Sequence, residues 1–169
     1  MKKCTAYLIT LTAMLCFFTS SAYGAPILTN NAKGTQYREQ IKSKMQKISE
    51  LQRANKKLVR VTENKIKKID ELMMYMPENR VLSLEHIQQE MDAIQKNIQT
   101  DFEKIIELDS SIWKLLNTAN KSIEKKDYIT GINLLDRAIE KLEMKHSLLI
   151  QYDKSLDQYM KFIQSVELK

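Results

Sequence analysis

Helix breakers and thiols are nearly missing from this chain, which has three glycines, two prolines and two cysteines among 169 residues. So few breakers argue against a turn-rich sandwich or barrel, and so few cysteines exclude a disulfide framework. Several catalytic signatures are also missing: no Gly-x-Ser-x-Gly, no phosphate-cradling glycine loop and no His-Glu-x-x-His. Those absences speak against serine hydrolases of that type, P-loop nucleotide hydrolases and zinc proteases. Ser-x-x-Lys occurs at Ser111 with Lys114 and at Ser122 with Lys125, without the companion motifs that make it catalytic. A lysine-rich helical chain produces that spacing by chance. The expectation is a protein that is not an enzyme and carries no cofactor.

What is present begins with residues 1–24. Lys2 and Lys3 precede a mostly apolar run from Ala6 to Phe18, followed by small residues ending Ala22-Tyr23-Gly24. This is the pattern of a cleaved secretory signal peptide, and the run is too short for a membrane anchor. The expected mature chain starts at Ala25 and is periplasmic or extracellular. Both Cys4 and Cys16 lie inside the signal, so the secreted product would be cysteine-free. Leu15 stands where a bacterial lipoprotein signal needs a small residue, so Cys16 reads as one more apolar residue of the run. Losing Lys2 and Lys3 from 27 basic residues, against 21 acidic ones, lowers the net charge from +6 to +4. Residues 25–34 are polar and aperiodic and read as a flexible mature N-terminus.

The remainder, 35–169, is a helix chain rich in Lys, Glu, Gln, Ile and Leu. Three segments follow from the punctuation: 35–76, stopped by Pro77; 83–125, capped by Ser83; and 127–167, capped by Asp127. Apolar residues recur every seven positions. The first seam is Ile41, Ile48, Asn55, Thr62, Ile69, Met76, with Leu51, Leu58 and Leu72 as companions. The second is Leu84, Met91, Ile98, Ile105, Ile112, Ala119, with Ile87, Ile94, Leu108 and Leu115. The third carries Ile132, Leu135, Ile139, Leu142, His146, Leu149, Leu156, Met160 and Ile163. Short connections between long helices make neighbours antiparallel. The expected fold is all-α: an elongated, coiled-coil-like, up-down-up three-helix bundle. A break near Asp109-Ser110-Ser111, giving four shorter helices, is the alternative. The hairpin Ala119–Ile139 resembles that of a tetratricopeptide repeat, with Tyr128, Gly131, Leu135 and Ala138 at spacings similar to its second helix. The resemblance covers about 25 residues and no 34-residue repeat follows, so it stands as a tight helical hairpin without family membership.

Four sets of residues could carry function. Polar residues occupy the seams: Asn55, Thr62, Asp101, His146 and Asp153. Folding the helices back on one another brings Asn55 level with His146, and a contact between them would fix register at some expense of stability. His146 is also the histidine of Glu143-x-x-His146, but a di-iron bundle needs a second such pair, and His86 has none. No metal is expected there. Met73, Met74 and Met76 could gather soft ligands for Cu(I), although methionine more often fills irregular space at a bundle end.

Basic residues crowd the first helix, among them Lys42, Arg53, Lys56, Lys57, Arg60, Lys67 and Lys68, with Lys44, Lys47 and Lys65. They suit an anionic envelope surface, whether lipid, cell-wall polymer or lipopolysaccharide; the bland reading is a solvated face balanced by acids elsewhere. Nucleic acid is not expected, because aromatic interleaving for base stacking is missing. Ile106 and Trp113, and Leu134 and Leu148, lie off the seams. They mark either a surface for self-association or a protein partner, or a seam wider than the strict heptad. The sequence therefore suggests an exported, non-catalytic interaction or scaffold protein of the envelope or exterior. The alternative is an envelope-surface or membrane binder acting through its basic first helix.

Overall fold

The computed structural model describes residues 34–75 and 85–167. Three helices account for nearly all of them: α1, Gly34–Tyr75 (42 residues); α2, Glu85–Glu124 (40); and α3, Tyr128–Glu167 (40). No strand occurs among the described residues. At about 1.5 Å per residue, each helix is roughly 60 Å long. α2 runs unbroken through Asp109-Ser110-Ser111, so the four-helix alternative does not arise. The signal segment, Ser83 and Met76 lie outside the described residues, as does the proposed flexible stretch up to Gly34, which opens α1.

The link between α2 and α3 shows how sequence chemistry stops one helix and starts the next. Lys126 takes a left-handed conformation with φ 65°. Its N–H donates to the carbonyl of Ile123 and that of Asp127 to Ser122, both at 2.9 Å. These two bonds satisfy the last carbonyls of α2 in a Schellman arrangement, with lysine where glycine is usual. Asp127 then caps α3, accepting from Thr130 N–H at 3.3 Å. The hairpin closes tightly: a Cβ on Gly131 would stand 2.6 Å from Ile123 Cγ1 and 3.4 Å from the Ala119 carbonyl oxygen. Ala119 and Ala138 are also fully buried, so small residues let the helices approach.

α3 packs along both other helices, while α1 and α2 approach one another far less closely. The pairs between α1 and α3 rise together in number: Lys44 with Asp136, Asn55 with His146, Lys65 with Asp153. Those between α2 and α3 run oppositely: Gln95 with Tyr159, Asp101 with Gln151, Asp109 with Lys145.

The core is divided. One apolar half gathers Val59, Ile66, Ile98, Phe102, Ile105, Leu149, Tyr152, Leu156 and Tyr159. The other gathers Ile41, Ile48, Ile112, Leu116, Ile123, Leu135 and Leu142. Between them lies a polar waist of Asn55, His146, Lys145 and Asp109.

The seams are broader than the simple heptad lines. Leu51, Leu58 and Leu72 are only half-buried, whereas Val59 and Ile66 are almost fully buried. α1 is thus rotated so that its buried companion line is 59 and 66. On α2, Phe102, Leu116 and Ile123 are buried in the same way.

Candidate functional site

α1 has two electrostatically different sides. Three of its lysines turn toward α3 and are neutralised there. Lys44 pairs with Asp136, Lys47 with Glu143 at 2.8 Å, and Lys65 with both Asp153 and Asp157 at 2.6 and 2.8 Å. Burial alone would lower the Lys65 pKa, but its hydrogen bonds to the two aspartates outweigh that and hold it above the usual lysine value.

Lys42, Arg53, Lys56, Lys57, Arg60, Lys67 and Lys68 are all exposed. None of these seven forms an ion pair or a side-chain hydrogen bond with another described residue. Arg53, Arg60 and Lys67 form one line at seven-residue steps, about 10.5 Å apart along the axis. Lys57 and Lys68 flank that line with Val61 and Asn64 between them. Glu63 is the sole acid between Arg53 and Lys68, and it lies half-buried on the other flank. Over roughly 22 Å of helix, between the exposed acids Glu50 and Glu71, the outward face carries cations with no ion-pair partner among the described residues. The balancing acids of α3 are spent on the inward lysines.

The waist joins α3 to both neighbours through consecutive residues. His146 Nδ1 lies 2.8 Å from Asn55 Oδ1, while Asn55 Nδ2 donates to the Leu142 carbonyl at 3.2 Å. With its amide nitrogen engaged by a carbonyl, Asn55 offers His146 an acceptor, so the ring carries its proton on Nδ1. On the other side, Lys145 Nζ lies 2.6 Å from Asp109 Oδ1, the two side chains only 7% and 13% exposed. Burial holds the Asp109 carboxyl above its usual pKa despite the opposing pull of Lys145. Buried Asp101 accepts from Gln151 Nε2 at 3.1 Å, and Thr62 turns its hydroxyl back to the Val59 carbonyl at 2.8 Å. Asp153 is half-buried and paired with Lys65.

The off-seam apolar residues separate. Ile106 and Leu148 pack against the first apolar half and Leu134 against the second, all half-buried. Trp113 stays 51% exposed. Met73 packs against the core whereas Met74 is exposed. Glu143 and His146 are engaged by Lys47 and Asn55, and no group of three His, Cys, Asp or Glu suited to a metal occurs among the described residues. No described helix is long and apolar enough to cross a membrane.

Compared with known proteins, the chain matches no family model, no curated protein and no solved structure.

Proposed function

We propose that the protein is exported by its N-terminal signal, loses residues 1–24, and works without catalysis as an elongated up-down-up bundle that docks on an anionic surface of the cell envelope. The docking face is the outward side of α1. One observation carries this reading: seven exposed cations without an ion-pair partner among the described residues, beside three lysines on the same helix that are all paired. The pairings of α1 and α2 with α3 support the up-down-up course, because numbers rise together in one set and oppositely in the other.

Surface cations of this kind act collectively, at about 1 kcal/mol per Lys or Arg near an anionic membrane. The attraction fades as salt shortens the Debye length from about 10 Å at 0.1 M to about 3 Å at 1 M. The test is co-sedimentation with anionic vesicles and retention on immobilised polyphosphate at low and high salt. Binding to either that weakens steeply with salt supports the proposal, and no binding to both sinks it.

A second reading, docking of a protein partner or self-association, is favoured by Trp113. A tryptophan 51% exposed on α2 is a typical anchor for a protein contact. Its three off-seam companions are packed against the core, so this surface is narrower than the α1 face. Trp113→Ala that alters the oligomeric state by light scattering would support this reading; an unchanged state counts against self-association.

A further inference from the structure

We infer that the anionic surface is built of linear polyanion strands, one of which lies along α1 between Glu50 and Glu71, and is not a lipid bilayer. This rests on the anionic-surface reading and adds a partner class to it. Arg53, Lys56, Lys57, Arg60, Lys67 and Lys68 are exposed, and so is Asn64 among them. At about 100° per residue, these seven side chains fall within roughly 120° of the helix circumference and span about 22 Å of its axis. Asn64 fills the longest gap between cations, the one from Arg60 to Lys67. The result is a narrow cationic track of definite length, closed at one end by exposed Glu50 and at the other by exposed Glu71.

A bilayer fits this track poorly for two reasons. Its anionic plane would extend along the whole helix and meet Glu39, Glu50 and Glu71, which are exposed on the same side as the cations. It would also seat apolar groups below its headgroups, and the exposed large apolar groups of α1, Val61 and Met74, stand about 140° apart on opposite edges of the face. A polyanion strand needs neither an acid-free plane nor an apolar stripe. It can follow the track for roughly 22 Å and bend away before Glu71. The guanidinium forks of Arg53 and Arg60 can each take two oxygens of one anionic group, and the Asn64 amide can donate in the gap that follows. The segment from Arg53 to Lys68 has no aromatic side chain, so a strand is held there by charge and not by base stacking, which sets single-stranded nucleic acid aside.

The test compares the full chain with Arg60→Glu/Lys67→Glu, whose two sites are exposed and whose folding is verified by equal helicity in circular dichroism. The probes are tripolyphosphate, polyphosphate chains long enough to span roughly 22 Å, and phosphatidylcholine vesicles with and without phosphatidylglycerol. Calorimetry gives the affinity for each phosphate chain, and sedimentation gives binding to the vesicles. Taking the difference between the two vesicle types cancels what the apolar N-terminal run contributes to both. At low salt the cations draw the protein to phosphatidylglycerol as well. At about 0.15 M salt the long chain is expected to bind about tenfold more tightly than tripolyphosphate, because more cations engage one strand at once. At the same salt, phosphatidylglycerol is expected to add little to vesicle binding. Equal affinity for short and long chains overturns the strand inference, and so does a strong gain from phosphatidylglycerol at that salt; both leave anion binding standing. If the wild type binds neither polyphosphate nor phosphatidylglycerol at low salt, or the charge variant binds the long chain as tightly as the wild type does, the anionic reading itself fails.

Discussion

Asn55→Ala is the sharpest perturbation of the bundle, because one side chain at the waist serves two partners on α3. It removes the acceptor for His146 Nδ1, 2.8 Å away, and the donor to the Leu142 carbonyl at 3.2 Å. The carbonyl already belongs to a helix, and half-buried His146 can turn to water. The polar loss is therefore near the lower end for a buried site, about 1 kcal/mol. Asn55 is only 3% exposed, so truncation also removes packed atoms at a further cost of about 1 kcal/mol. The sum, about 2 kcal/mol, corresponds to a melting temperature lower by roughly 4–8 °C for a domain of this size.

A double-mutant cycle with His146→Ala separates the contact from the packing. The expected coupling is about 1 kcal/mol by chemical denaturation. Coupling within error of zero would refute the account of the waist, as would an Asn55→Ala protein as stable as the wild type. Leucine at both positions is a different case, since it joins two apolar halves that the waist now separates. That variant is expected to be more stable by about 1–4 kcal/mol, as when buried polar groups give way to well-packed apolar ones.

Three further outcomes follow from single side chains. Lys126 holds φ 65° without glycine's freedom, so Lys126→Gly should raise stability by about 0.5–1 kcal/mol in a urea titration. The Tyr152 hydroxyl is fully buried with no hydrogen-bond partner, and burial and then nearby Asp101 push its pKa up. Tyr152→Phe removes an orphaned donor and should stabilise by about 1 kcal/mol in the same assay. Asp70 has a buried, unpartnered Oδ1, and burial raises its pKa above 3.8. Below pH 3.8 the carboxyl is protonated in both folded and unfolded chains, so Asp70→Asn should match the wild type there. As pH rises through the folded pKa the unfolded chain releases its proton first, and the folded state loses stability. The Asn variant should therefore melt at a higher temperature near about pH 7, with the gap closing on acidification. Equal melting points at both pH values would contradict this.

Much of the bundle was legible because its code is local. Few glycines and prolines, heptad steps and the Asp127 cap point to three long helices. The Asn55–His146 contact follows from folding those helices back at their short links. Rotation about each helix axis was harder to read. Ile41, Ile48, Asn55, Thr62 and Ile69 mark the buried line of α1, but both flanks of that line are apolar in sequence. Leu51 and Leu58 lie on one flank, Val59 and Ile66 on the other, and only packing against α2 and α3 chooses between them. The same ambiguity hid Phe102, Leu116 and Ile123, and Tyr152 and Tyr159, each of which lies on a seven-residue line that composition alone cannot rank. Lys145 was missed for a related reason: a lysine in a seam position reads as solvated until Asp109 is seen beside it. Which cations of α1 are neutralised also depends on rotation, since Lys44, Lys47 and Lys65 differ from Arg53, Arg60 and Lys67 only in the side they present.

The claim that the outward face of α1 is what binds is tested most directly by two variants of equal net charge. One carries Arg60→Glu and Lys67→Glu, and the other carries Lys121→Glu and Lys125→Glu, exposed positions at the far end of α2 and in the link after it. Affinity for phosphatidylglycerol vesicles is measured for both at low salt. The account predicts that the first variant loses most of its binding while the second stays close to wild type. Equal losses would show that net charge alone drives association, and binding by the first variant at wild-type strength would remove the α1 face from the account.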